Sequence, residues 1–292
     1  MDNRAEVRAF LSSRRAKITP EQVGLTVHPR GRRVPGLRRG EVAELAGVSV
    51  EYYARLERGD LTGVSDSVLS SLARALRMDE AELAHLADLA LAAGPAGRAP
   101  RRTHAQQVRP SLARILEQMT AIPAFVNNAR LDVLAANPLA RALYAPLFAD
   151  PAQPANHARF AFLNPAARDF WIDWERIADD TVAVLRTEAG RDPYDKALTD
   201  LVGQLCTRSD DFRLRWAAHD VRLHRIGVKY FHHPVVGDLH LNFESMQLSA
   251  DPGLTLTALS APAGSPDDDA LRLLANWAAT HAPIDALTTP EK

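Results

Sequence analysis

Cysteine is nearly missing from this chain: Cys206 stands alone, so no intrachain disulfide is possible. That suits a reducing cytoplasm, with the thiol expected in an apolar setting rather than as a redox sensor. No run approaches the ~18 apolar residues of a membrane span. Met1-Asp2-Asn3-Arg4 opens without the hydrophobic core of a signal peptide. Also missing are a glycine-rich phosphate loop, a nucleophile-elbow motif and a paired set of metal ligands, so no catalytic chemistry is expected. Net charge is almost absent, at −1 over 292 residues. These absences leave a cytoplasmic, non-membrane globular protein, long enough for two cores.

The near-zero charge hides an asymmetry. Residues 1–40 hold ten Lys and Arg against three Asp and Glu, whereas residues 105–292 hold 18 against 23. A basic end on an acidic body fits a DNA-facing segment joined to something else. Within that end, Val7, Phe10, Leu11 and Ile18 share a face and predict a first helix over about residues 4–18. Val42, Ala43 and Leu45 predict a second, ending at Ala46-Gly47. Ser49 can cap a third, on which Tyr53 and Leu56 point inward while Val50, Glu51, Tyr52 and Arg55 point away. A small Ala at the crossing and a Gly at the turn make a helix-turn-helix whose second helix reads the major groove. The same pattern suits an ordinary helical hairpin; the spacing of Ala43, Gly47, Tyr53 and Leu56 favours the DNA reader. Ser65 opens a fourth helix with Leu69 and Leu72, and Asp79 with Glu82 forms a capping box opening a fifth.

The stretch Leu45-Ala46-Gly47-Val48-Ser49, followed by Tyr53-Ala54-Arg55-Leu56-Glu57-Arg58-Gly59, resembles repressor-like helix-turn-helix regulators of the xenobiotic-response-element type. Tyr53 replaces the branched aliphatic residue frequent there; its ring can fill the core with the hydroxyl at the edge. The expected DNA-binding residues are Ser49, Val50, Glu51, Tyr52 and Arg55, with Arg30, Arg32, Arg33, Arg38 and Arg39 on the basic segment before them. Arg55 suits guanine and Glu51 suits cytosine. Arg30, Arg32 and Arg33 either sit in a solvated loop or contact phosphates and the minor groove.

The second half reads differently. A lead-in helix (Leu112, Ile115, Leu116, Met119) precedes Pro123-Ala124-Phe125-Val126 and Leu131-Asp132-Val133-Leu134, a hairpin turning at Asn127-Asn128-Ala129-Arg130. Residues 165–218 read as mostly helical, then three strand-like runs follow at Val228–His232, Leu239–Leu248 and Leu254–Leu259. Ser265-Pro266 starts a last helix. Two strands, a helical middle and three antiparallel strands is the order of a PAS-like sensor. Together with Val34-Pro35-Gly36-Leu37-Arg38-Arg39 and Tyr52-Tyr53, several stretches of this half resemble the MmyB-like regulators. These are Pro123-Ala124-Phe125-Val126, Leu131-Asp132-Val133-Leu134-Ala135-Ala136-Asn137, Phe212-Arg213 with Trp216 and His219-Asp220-Val221, and His233-Pro234 with Gly237. Gly40 departs from the acidic residue common there.

The fold class expected is therefore α+β. A five-helix repressor-like bundle occupies residues 1–92 and a linker 93–110; a PAS-like α/β sensor domain follows over 111–285, with a tail at 286–292. The resemblance implies a bacterial regulator that holds a fatty-acid-like ligand. The expected lining is Phe125, Trp216, Phe231 and Phe243, with Arg213 and His219 as anchors, and no cofactor or metal. Two recognition helices of a homodimer would read a roughly palindromic operator on double-stranded DNA. The alternative is a second domain that only dimerises the DNA reader. His219, His224, His232, His233 and His240 invite a metal site, but strand alternation already accounts for His232 and His240.

Overall fold

The computed structural model describes residues 2–25, 34–94, 107–220 and 226–281; Arg30, Arg32, Arg33, Val221 and His224 lie outside the described residues. Five helices come first: α1 (Asn3–Lys17), α2 (Arg39–Ala46), α3 (Val50–Glu57), α4 (Asp66–Ala75) and α5 (Glu80–Ala93). Then come α6 (Pro110–Gln118), β1 (Ala124–Asn128), β2 (Val133–Ala136), α7 (Pro138–Leu143), α8 (Ala145–Phe148), α9 (His157–Leu163) and α10 (Ala166–Phe170). The remainder is α11 (Trp174–Arg191), α12 (Lys196–Arg208), α13 (Asp210–Ala217), β3 (Ile226–His233), β4 (Gly237–Gln247), β5 (Leu254–Ser260) and α14 (Pro266–His281). The layout is α+β, and the chain divides into two compact units. One comprises Met1–Thr103 with Val182–Leu223, the other His104–Thr181 with His224–Lys292.

In the first unit each helix starts where a side chain satisfies an orphan N–H. Asp2 accepts from Arg4, Ser65 from Val68, and Asp79 with Glu82 forms the expected reciprocal box. Val7, Phe10 and Leu11 of α1, Val42 and Ala43 of α2, Tyr53 and Leu56 of α3, and Leu69 and Leu72 of α4 close on one another as a buried core. The N-terminal stretch of this unit ends at Thr103, within the expected 93–110 linker, and the unit also takes in the second half of α11 with α12 and α13. Glu6 lies on the buried stripe of α1, and its partner Arg186 comes from α11.

Gly190 marks the close approach that this requires. A Cβ there would lie 2.6 Å from Nδ1 of His85 on α5, whose ring is fully buried against Phe10. Gly190→Ala would gain up to ~1 kcal/mol of helix propensity, but overpacking a filled site costs about 1–3 kcal/mol. We expect a net loss, read as a lower urea midpoint. A stabilised variant would show that the His85 ring moves aside easily.

The second unit is built on an antiparallel sheet of order β2-β1-β5-β4-β3. Its first hairpin turns later than the sequence suggests. β1 runs through Asn128, whose Oδ1 accepts from the N–H groups of Arg130 and Asp132 at 2.9 and 3.0 Å. Asp132 is held in turn by Asn128 and Asn156, at 2.9 and 2.8 Å. Asn137 links the hairpin to α7: it caps Ala140 and also bonds Ala124, Met119 and Ile122. One sheet face carries Phe125, Phe231, Leu239, Leu241, Phe243 and Leu259, packed with Tyr144, Phe170 and Trp171 and with Leu271 and Leu274 of α14. On the His-Pro turn, His233 bonds the Ala142 carbonyl through Nε2 at 3.1 Å and accepts from the Val235 N–H at Nδ1. That pair of bonds fixes a neutral ring with its proton on Nε2.

Candidate nucleic-acid interface and ligand domain

The α2–α3 turn has the geometry of a helix-turn-helix. Gly47 adopts the left-handed conformation, φ 66°, and its N–H closes α2 onto Ala43 and Glu44. Ser49 Oγ then accepts from the Tyr52 N–H at 3.1 Å to start α3. Tyr53 and Leu56 are fully buried, while Val50 and Glu51 are exposed and Tyr52 and Arg55 half-exposed. The polar face is thus turned outward by the packing of the apolar one. Arg55 lies over the Tyr52 ring at 4.9 Å and faces Asp60 at 3.6 Å, which aligns its side chain along the helix. The Tyr53 hydroxyl is buried with its ring rather than placed at the edge, and burial pushes the phenol's pKa up.

Glu57 ties this helix to its neighbours. Its carboxylate is buried and accepts from Arg15 of α1 and from Arg39 of α2. Arg39 therefore has a structural partner as well as an exposed guanidinium, a double use that the basic run alone did not suggest. Arg38 supplies the N-cap of α2, its N–H donating to Glu41.

The first unit also holds a group of buried charges. Arg186 is fully buried; it pairs with Glu6, donates to the Trp216 carbonyl, meets His219 Nδ1 at 2.9 Å and stacks on the Trp216 ring at 4.0 Å. Burial works to raise the Glu6 carboxyl, but His219 and the Arg186 charge outweigh it and hold it at about 2. His85 is pushed down to about 4 by burial, so its ring is neutral at pH 7. Asp220 adds partners in Arg14 and Lys17. Nothing in the basic run or the helix-turn-helix pattern pointed here. The available signal was Glu6 falling four residues before Phe10, on the apolar stripe.

The six residues expected to hold a ligand do not gather in one unit. Phe125, Phe231 and Phe243 are in the core of the second. Arg213, Trp216 and His219 belong to the first, where each is already engaged: Arg213 pairs with Asp210 at 2.8 Å on an exposed face, and Trp216 and His219 hold Arg186. Cys206 is half-buried rather than buried, and desolvation raises its thiol pKa. His232 pairs with Asp238 on exposed strand positions. The sequence did not single out Lys229, which lies with Tyr144 and Trp171 in the second unit; alternation on β3 places it on the face of Phe231.

A capped, outward-facing second helix in a helix-turn-helix, followed by an α+β domain, is the layout of a DNA-binding regulator with a second domain. The comparisons agree by region: a helix-turn-helix domain matches residues 9–86, and the MmyB-like transcription regulator ligand binding domain matches residues 108–274. The chain belongs to the MmyB-like transcription regulators. No curated protein matches it. Both matches are regulator domains, and no described helix is long and apolar enough to cross a membrane.

Proposed function

We propose that this protein binds a roughly palindromic operator in the cytoplasm as a homodimer, and that a fatty-acid-like molecule held in its second unit alters that binding. The observation that carries the DNA half is the outward face of α3: Val50, Glu51, Tyr52 and Arg55 follow a Ser49 cap while Tyr53 and Leu56 are locked inside. A single helix of this length contacts few base pairs, and two half-sites about 34 Å apart double the readout. Arg30, Arg32, Arg33 and Arg38, with the exposed end of Arg39, are the proposed phosphate contacts. The sensor half rests on the family and on the sheet, whose two early strands precede a helical middle and whose three later antiparallel strands follow it, as in PAS-like domains. Phe125, Phe231 and Phe243 are the proposed wall.

Arg55→Ala should weaken operator binding by roughly 1–3 kcal/mol and relax preference at one base pair per half-site. Gel shifts against an operator series measure both. Unchanged affinity and preference would remove Arg55 from the interface. For the sensor half, lipid extracted from the purified protein and titration with fatty acids during operator binding decide. If none binds and none changes DNA affinity, the second unit serves dimerisation or protein contact alone.

A further inference from the structure

Lys229 is half-buried on the packed side of the sheet. On β3 it is two residues before the fully buried Phe231 and opposite the fully buried Leu241, so strand alternation aims it at the packed face of the sheet. Its Nζ lies 4.9 Å from the centre of the Phe243 ring and 5.4 Å from that of Trp171. Among the described residues no acceptor lies within bonding distance of it. The charged groups that face it come from α11: Asp180 attracts the ammonium and Arg176 repels it. Arg176 is itself occupied by Asp173 at 2.7 Å, by the Val228 carbonyl at 2.6 Å and by Asp180 at 3.9 Å.

Two more polar groups in the same aromatic cluster lack partners. The indole N–H of Trp171 and the hydroxyl of Tyr144 are buried without a hydrogen bond among the described residues, their rings 5.8 Å apart. The neighbouring Trp174, by contrast, donates to the Ala161 carbonyl at 2.9 Å. An ammonium and an indole N–H can only donate, and a phenol donates readily. A buried donor left unmet loses its hydration without replacement. What this cluster lacks is an acceptor, and the ammonium calls for one that carries negative charge.

We propose that Lys229 anchors the anionic head of the ligand, a carboxylate, with the Trp171 N–H as a second donor and the surrounding rings against an aliphatic chain. This rests on the ligand-sensing reading above and gives it a chemical selectivity: the site prefers an acid to the matching alcohol. A charge-assisted bond of this kind supports a preference of roughly tenfold or more. Burial lowers the Lys229 ammonium to about 8, Asp180 opposing that shift and Arg176 adding to it. A bound carboxylate favours the charged form, so binding near or above that pH takes up a proton.

The test is calorimetric titration of the full chain with dodecanoate and with dodecan-1-ol. The wild type should prefer the acid, and Lys229→Met should erase that preference. Lys229→Arg should retain it. Near pH 8.5, titration in buffers of different ionisation enthalpy should show proton uptake with dodecanoate in the wild type and none in Lys229→Met. Should Lys229→Met fail to fold, wild-type proton uptake and the arginine variant decide the matter alone. An acid preference that survives in Lys229→Met, or acid binding without proton uptake, overturns the anchor and leaves ligand sensing standing. If neither probe binds the wild type, and dodecanoate leaves operator affinity unchanged, both readings go.

Discussion

Glu6→Gln should destabilise the first unit by about 3–5 kcal/mol, the range for removing one partner of a buried ion pair. Arg186 has no exposed surface, and Glu6 is its only carboxylate partner among the described residues. Stripped of that partner, the guanidinium keeps its stacking on Trp216 and its bond to the Trp216 carbonyl. It loses the charge that justified burying it. Replacing both partners, as in Glu6→Leu with Arg186→Met, should recover much of the loss, since an apolar pair of similar volume is often neutral or better. Urea denaturation of the single and double variants measures this. A Glu6→Gln loss below about 1 kcal/mol would mean that water reaches the pair.

The second large effect is acid sensitivity in two stages. His85 ordinarily titrates at 6.5 and is held at about 4 in the fold. Between those values the unfolded chain binds a proton that the folded chain refuses, so stability falls as pH drops. At 1.36 kcal/mol per pKa unit the loss approaches about 3 kcal/mol by pH 4. Glu6 acts lower: held at about 2 against an ordinary 4.5, it stabilises fully above 4.5 and loses that contribution as pH falls toward 2. Melting temperature should therefore decline from about pH 6.5 downward, then decline again below 4.5. His85→Phe should flatten the first stage and leave the second. A profile level from pH 7 to 4 in the wild type would place a protonated, solvated His85 in the fold.

The recognition helix was legible because each of its signals is local. A cap at Ser49, a left-handed glycine at 47 and inward residues three apart are all readable within one stretch. The strands of the second unit were legible for the same reason, through alternation and turn residues. What escaped the sequence is long-range pairing. Glu6 meets Arg186 across 180 positions, and no periodicity in either helix marks the partner. Arg213 and His219 looked like ligand anchors because they sit beside Trp216 in a stretch that the family resemblance covers. The fold instead places His219 at Arg186 and turns Arg213 to the surface. Lys229 was readable in principle, since it shares its strand face with Phe231. A lysine within a strand is ordinarily taken for a solvated position, and only the Trp171 and Phe243 rings beside it reveal otherwise.

The share of α11–α13 in the first unit bears on how such a regulator can be recombined. A gene fusion that joins residues 1–103 to a foreign sensor would carry the recognition helix but leave Glu6 without Arg186, and His85 without the Gly190 backbone that covers it. Its DNA reader would be an incomplete module, short of part of its own interior. Segment exchange in this protein therefore has to keep Arg186 and Gly190 with the N-terminal helices, as one piece made from two stretches of chain.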